Sequence, residues 1–272
     1  MLDSFLTHNG WFRGDLVAIH QGLDDAEQAE LLADFPRLRL VTPPEPLLAA
    51  LEALAAAQPH LANRIARFHS LSSFWLEDKG AILFCDSDLV FTGDILPIFD
   101  HKGALLAAPD RAMLQGNRRD PETMEEQKGE GRGNAHRSFN AGLMVLGKAL
   151  RTDENRSAIL GELAGDFWSD LRSDHTDQAL LYRLFGDAVT LLDQRFNRLV
   201  GHAASLRGVA DLPLDEARVL HFNGAAKPWR LERHAAMAAQ NAQYIAALRM
   251  WFEAHHRFLT KRHFASHLGR RD

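Results

Sequence analysis

Apolar residues along the chain come in short runs, and the segments between them repeat their apolar positions at helical spacing. That alternation predicts an α/β sheet with helices on both faces. Residues 1–10 look like the end of a helix stopped by Asn9 and Gly10. Residues 15–20 form a strand, Gly22 turns the chain, and Asp24 and Asp25 cap a helix to about Ala33. Residues 38–42 are a second strand closed by Pro43 and Pro44, followed by helices over 46–58 and 63–76. Residues 81–85 (AILFC) are too short for a free-standing helix and read as a buried strand.

Residues 103–109 are another strand, ending at the carboxylate of Asp110. Hydrophobic periodicity then vanishes over 111–137, a polar lid or disordered insertion. Residues 138–146 restore the strand pattern. A helix over 153–171, capped by Asp153 or nearby, precedes a second over 179–185 that residues 174–178 open. Strands follow at 189–192 and 219–221. From Leu231 onward the pattern is helical, with Tyr244, Leu248, Trp251 and Phe252 on one face. The expected division is an α/β domain over 1–230 and a helical tail over 231–272.

Composition adds limits to this outline. A chain of 272 residues, 46% hydrophobic and 25% charged, has enough length for a large core. Its net charge of -5 argues against nucleic-acid binding by the whole chain. The one cysteine, Cys85, sits inside an apolar run and reads as a buried structural thiol. Neither a secretory leader nor a run of about 20 apolar residues is visible, so the expectation is a cytoplasmic protein. Residues 230–272 carry eight Arg/Lys against three Asp/Glu. Such a tail either docks on acidic lipid or a partner, at the inner membrane face for example, or is a solvated terminal helix.

Candidate chemistry gathers at strand ends. Asp86 and Asp88 follow the 81–85 strand with one residue between, so on an extended chain their side chains point the same way. Two like charges held that close are best tolerated around a cation, and ligands in open α/β sheets collect beyond strand carboxyl ends. A solvated turn is the plain alternative. Asn140 and Gly142 stand at a strand entrance, where an amide can donate and accept and a glycine permits close backbone approach. Asp177 and Gln178 open a helix, where a carboxylate can also be a first-turn charge. His221, Gly224 and Lys227 share a turn bounded by Pro228 and Trp229.

Taken in this order, these residues resemble the family-8 glycosyltransferases, the group that includes glycogenin and bacterial lipopolysaccharide galactosyltransferases. The matching positions are Asp86 with Asp88, Asn140 with Gly142, Asp177 with Gln178, and His221, Gly224, Lys227, Pro228 and Trp229. The resemblance implies a retaining transferase of the GT-A, Rossmann-like fold. It would use a nucleotide sugar, usually UDP-hexose, a divalent metal, Mn²⁺ or Mg²⁺, and a glycan or glycolipid acceptor. It carries metal ligation onto Asp86, Asp88 and His221, and diphosphate contact onto Lys227 and the Gly224 backbone. Asn140, Asp177 and Gln178 would line the sugar, the last two as candidates for its reacting face, with Asp110 near donor or acceptor. Arg67 resembles the family's basic residue near the donor, with Arg64 the competing alignment.

The family normally has a strand ahead of the helix that residues 1–9 resemble, and this chain lacks it. Either an upstream segment is missing from the start or the nucleotide site is modified. The expected consequence is an open pairing slot in the sheet, or a substitute element filling it. Two other functions fit parts of the pattern. A degenerate transferase fold could bind a glycan without turnover. An Asp-nucleophile phosphatase could use residues 86–90, although no later acidic pair is evident for it.

Overall fold

The computed structural model describes residues 1–110, 139–169, 176–201 and 212–268, with side chains described through residue 264. In chain order its regular elements are α1 (Leu2–His8), β1 (Leu16–Ile19), α2 (Asp25–Asp34), β2 (Leu38–Val41), α3 (Glu45–Ala57), β3 (Ile82–Cys85) and β4 (Leu89–Phe91). There follow β5 (Leu105–Pro109), β6 (Phe139–Leu146), α4 (Asp153–Leu163), α5 (Thr176–Phe185), β7 (Val189–Leu191), β8 (Arg198–Leu199), β9 (Val219–His221), α6 (His234–Gln240) and α7 (Tyr244–Leu268). The expected lid at 111–137 lies outside the described residues.

Two compact units divide the chain. The larger consists of Gly14–Cys85 and His101–Leu192. In it β1 and β2 pair in parallel, and a four-stranded sheet runs in the order β3-β6-β5-β7. Strand β6 is buried along its whole length, because it pairs on both edges and is covered on both faces. Leu47, Leu51 and Leu54 form the buried stripe of α3 and join Phe68, Leu71, Phe74, Trp168 and Leu180 in one core. Helix α2 begins at a capping box, in which the Asp24 carboxylate accepts from the Glu27 N–H and Glu27 accepts from the Asp24 N–H.

No strand precedes Leu16 among the described residues, and β1 and β3 each pair on one edge only. Their apolar side chains are half-buried as a result, including Val17, Ile19, Leu83 and Phe84. Open edges on β1 and β3 accord with the slot anticipated from the sequence, and β2 and β7 end their sheets in the same way. Cys85 shares this half-buried state, which corrects its assignment as a buried thiol.

The smaller unit consists of Met1–Arg13, Asp86–Asp100 and Asp193–Asp272. Its sheet has the order β4-β9-β8, with β4 antiparallel and β8 parallel to β9. Helix α1 is tied to β4 and the segment after it through polar side chains. Ser4 Oγ accepts from the Phe91 N–H at 3.1 Å, and Asn9 Oδ1 accepts from the Ile95 N–H at 3.0 Å. Tyr244, Ala247 and Leu248 of α7 pack with Leu220 and Phe222, and the Tyr244 hydroxyl donates to the Ala226 carbonyl at 3.1 Å.

Several elements differ from the sequence-based outline. Strands β4 and β8 are too short to register as apolar runs, and they form because β9 lies between them. The helix expected over 63–76 is a run of 3₁₀ turns over Pro59–Trp75. Serines weaken α geometry there; Ser73 Oγ donates to the Ser70 carbonyl at 2.7 Å, competing with the backbone ladder. Helix α4 stops at Leu163, not at 171, and its cap is Thr152, whose hydroxyl accepts from the Asn155 N–H. Phe252 does not share the buried face of Tyr244 and Leu248; it is exposed, because at 100° per residue it lies about 80° round the helix from Tyr244, on the side away from buried Ala247.

Candidate functional site

The sequence-derived residues fall into two groups, one in each unit. In the smaller unit, Asp86, Asp88 and His221 bring one ligand atom each to within 4.8 Å of one another. Register explains the convergence. Leu89 of β4 lies opposite His221 of β9, and the ladder continues as the Phe222 N–H donates to the Asp88 carbonyl at 3.1 Å. Residues 133 positions apart thus become neighbours. The two aspartates are not aligned by strand alternation, since Ser87 and Asp88 turn the chain between β3 and β4. That turn, not a pleat, directs both carboxylates to the imidazole.

The polar balance of this group is unusual. Asp88 Oδ1 is buried and has no hydrogen-bond partner, and His221 Nε2 stands 3.2 Å from it and 3.7 Å from Asp86 Oδ2. On the other side of the ring, His221 Nδ1 lies 3.0 Å from Asn197 Oδ1. The Lys227 ammonium contacts Asp88 Oδ2 and donates to the Phe222 carbonyl at 3.0 Å. Burial by itself would raise the Asp88 pKa. The charges of His221 and Lys227, with the hydrogen bond from Lys227, outweigh it and hold the carboxyl well below the usual carboxylate range. Gly224 adopts a φ of +81°, the left-handed conformation that glycine takes without strain, and the turn it makes returns Lys227 to Asp88. Asp86, Asp88 and His221 together could hold a metal ion. Two carboxylates and one imidazole suit Mn²⁺ or Mg²⁺ better than a closed thiolate site.

In the larger unit a second polar group surrounds β6. Asn140 Nδ2 donates to Asp110 Oδ2 and to Gln178 Oε1, both at 3.2 Å, and Gln178 Nε2 donates to Asp110 Oδ2 at 3.4 Å. The Gly142 N–H donates to Asn140 Oδ1 at 2.9 Å, so Gly142 fixes the amide through its backbone. Asp110, Asn140 and Gln178 are all buried, which makes this a preorganised network and not a solvated edge.

Asp177 adjoins this network on the first turn of α5. Its Oδ2 accepts from the Ser70 hydroxyl at 2.7 Å. Burial raises its pKa, against the opposing pull of the Ser70 hydroxyl, nearby backbone N–H groups and the Arg67 charge. A carboxylate kept in a costly environment by a few specific donors is a frequent mark of a functional group. Sequence reasoning missed Ser70 and Asn197. Both are ordinary polar residues in unremarkable surroundings, and only their contacts single them out.

Comparison with known proteins gives the family. The model of glycosyl transferase family 8 matches residues 63–232. The chain is 26% identical over 178 residues to glycosyltransferase GlyE of Streptococcus pneumoniae serotype 4, a match covering 63% of this chain and 38% of that protein. The chain therefore spans well under half the length of that relative. Among solved structures, galactosyltransferase LgtC in complex with donor and acceptor sugar analogs superposes with a TM-score of 0.59 at 20% identity, covering 88% of this chain and 89% of that one. Mouse xyloside xylosyltransferase 1 gives a TM-score of 0.55 at 16% identity, covering 82% and 89%. These likenesses establish a GT-A fold. With more than half its length matched by the family model, the chain belongs to glycosyl transferase family 8.

Proposed function

We propose that this protein moves a hexosyl group from a UDP-linked sugar to a hydroxyl of a glycan or glycolipid, with retention of configuration and dependence on Mn²⁺ or Mg²⁺. The observation that carries the proposal is the convergence of Asp86, Asp88 and His221 around a buried carboxylate oxygen without a partner. A divalent ion held by these three side chains would neutralise charge on the departing diphosphate. Lys227 and the Gly224 backbone are the protein's own contribution to the same task. Lys227, which contacts Asp88, would exchange that contact for a phosphate oxygen of the donor.

The second group serves the sugar. Asn140, Gln178 and Asp110 offer fixed donors and acceptors to its hydroxyls, with the Gly142 backbone supporting the Asn140 amide. Asp177 and Gln178 are assigned to the reacting face, and Arg67 to the donor. Residues 1–230 would form the transferase domain and 231–272 its helical basic tail.

Release of UDP is the direct test. Incubation with Mn²⁺ and a panel of nucleotide sugars should raise the melting temperature for one donor only, and that donor should yield free UDP. Phosphate release from a simple phosphoester, with no response to any nucleotide sugar, would favour the Asp-nucleophile hydrolase. Glycan binding without UDP release would favour a non-catalytic module.

The tail supports a membrane-bound acceptor. Among the described residues no helix is long and apolar enough to cross a bilayer. Yet Ile245, Phe252 and Leu259, seven residues apart on α7, remain 52%, 43% and 44% exposed. Arg249, His256 and His263 follow each of them by four residues, and Trp229 and Leu231 add exposed apolar surface upstream. Residues 230–272 hold eight Arg/Lys against three Asp/Glu, whereas the whole chain is acidic. Apolar side chains on a tail rich in Arg and Lys fit an anionic bilayer surface. The protein should sediment with phosphatidylglycerol vesicles and far less with phosphatidylcholine, and Phe252→Glu with Leu259→Glu should abolish the difference. Equal sedimentation with both lipids, or dimerisation through this face, would overturn it.

A further inference from the structure

The contact between Asn197 and His221 has a consequence beyond packing, and it rests on the cation reading of the Asp86, Asp88 and His221 group. Asn197 precedes β8, which runs parallel to β9 with Leu199 opposite His221. Both residues are 2% exposed, so water does not compete for the ring nitrogen. His221 Nδ1 lies 3.0 Å from Asn197 Oδ1. An amide oxygen can only accept, so the proton of this bond is on Nδ1. The lone pair of the neutral ring is then on Nε2, the nitrogen 3.2 Å from the unpartnered Asp88 Oδ1.

We propose that Asn197 is a positioning residue that fixes His221 as the Nδ1–H tautomer and thereby presents Nε2 to a divalent cation. Without this acceptor, the proton could reside on Nε2, where two carboxylates would attract it, and the coordinating lone pair would turn away from the site. The role is that of an outer partner orienting a metal-binding histidine, whose loss costs about 10–100-fold in metal affinity. The backbone supports the arrangement, since the Asn197 N–H donates to the Gln194 carbonyl at 3.0 Å and anchors the residue before the sheet begins.

The test measures Mn²⁺ alone, by titration calorimetry and by loss of the free-ion electron paramagnetic resonance signal, with no nucleotide present. Asn197→Leu keeps the side chain's size but removes the acceptor, and should weaken Mn²⁺ binding about 10–100-fold. Asn197→Asp restores an acceptor oxygen and should return affinity to within a few-fold of the original. Nitrogen-15 spectra of the unsubstituted protein, labelled at histidine, should show a protonated Nδ1 on His221, both without metal and with Mg²⁺ bound. This spectrum also keeps the proposal testable if Asn197→Leu fails to fold.

A proton on Nε2 with a bare Nδ1, or undiminished Mn²⁺ affinity in a folded Asn197→Leu variant, would overturn the proposal. Failure of the underlying cation reading looks different. There the unsubstituted protein itself would bind no Mn²⁺, while its His221 spectrum could still show the Nδ1 proton.

Discussion

Asp88→Asn should abolish Mn²⁺-dependent binding of a UDP-sugar and lower turnover about a thousandfold, the scale of losing several kcal/mol of charge stabilisation. The substitution preserves shape, removes one charge and leaves Asp86 and His221 in place. It also unties Lys227, which is itself partly buried and contacts the Asp88 carboxylate. Stability should fall with it, in a pH-dependent way whose sign is fixed. The folded Asp88 carboxyl titrates below its unfolded counterpart, so its contribution is fully present above about pH 4 and is lost as pH falls through the folded value. The variant should therefore melt a few degrees lower at pH 7 and lose that deficit progressively in acid. Calorimetric titration with and without Mn²⁺, beside thermal melts at several pH values, measures both effects. Undiminished metal-dependent donor binding would mean that Asp88 is not a ligand.

Asp177→Asn should act in the opposite direction on stability while also removing activity. Burial raises the Asp177 pKa, so the ionised carboxylate costs the folded state free energy at neutral pH. A raised acid contributes fully below its unfolded value, near pH 4, and loses that contribution as pH rises through the folded value. The neutral amide escapes this cost and can still accept from the Ser70 hydroxyl. The variant should accordingly melt higher at pH 7.5, by the equivalent of about 1 kcal/mol, and equal the parent below pH 4. With Asp177 in its proposed place at the sugar's reacting face, UDP release should drop at least about a hundredfold. A variant that melts lower and still turns over would identify Asp177 as a structural carboxylate. The combination of greater stability with lost activity is the signature of a residue kept for chemistry.

The polar network of Asp110, Asn140 and Gln178 and the cation group differ in how visible they were beforehand. Both sets of residues could be named from their positions after strands and at a helix start. Their physical states could not. Nothing in the local sequence around Asp177 marks its carboxylate as more costly than an ordinary first-turn acid; the cost comes from Ser70 and the core packed around it. Asp86 and Asp88 carry a readable spacing, yet a turn and not strand alternation brings their carboxylates together. Elements with long periodic patterns, such as α3 and β6, matched expectation closely. Strands β4 and β8, three and two residues long, did not stand out, since their extended form depends on a partner strand far away in the chain.

From the sequence by itself came the alternation of strands and helices and the capping of α2, and from its resemblance to family 8 came the set of residues proposed to hold a cation. The first two follow from local rules: side-chain period and backbone capping. Only the tertiary structure decided which of those residues meet. The pairing of β4 with β9 sets His221 against Asp88, the return turn brings Lys227 to the same carboxylate, and β8 supplies Asn197 behind the ring. Hydrogen-bond register and burial join positions far apart in the chain, and no property of a single segment encodes the distance between them.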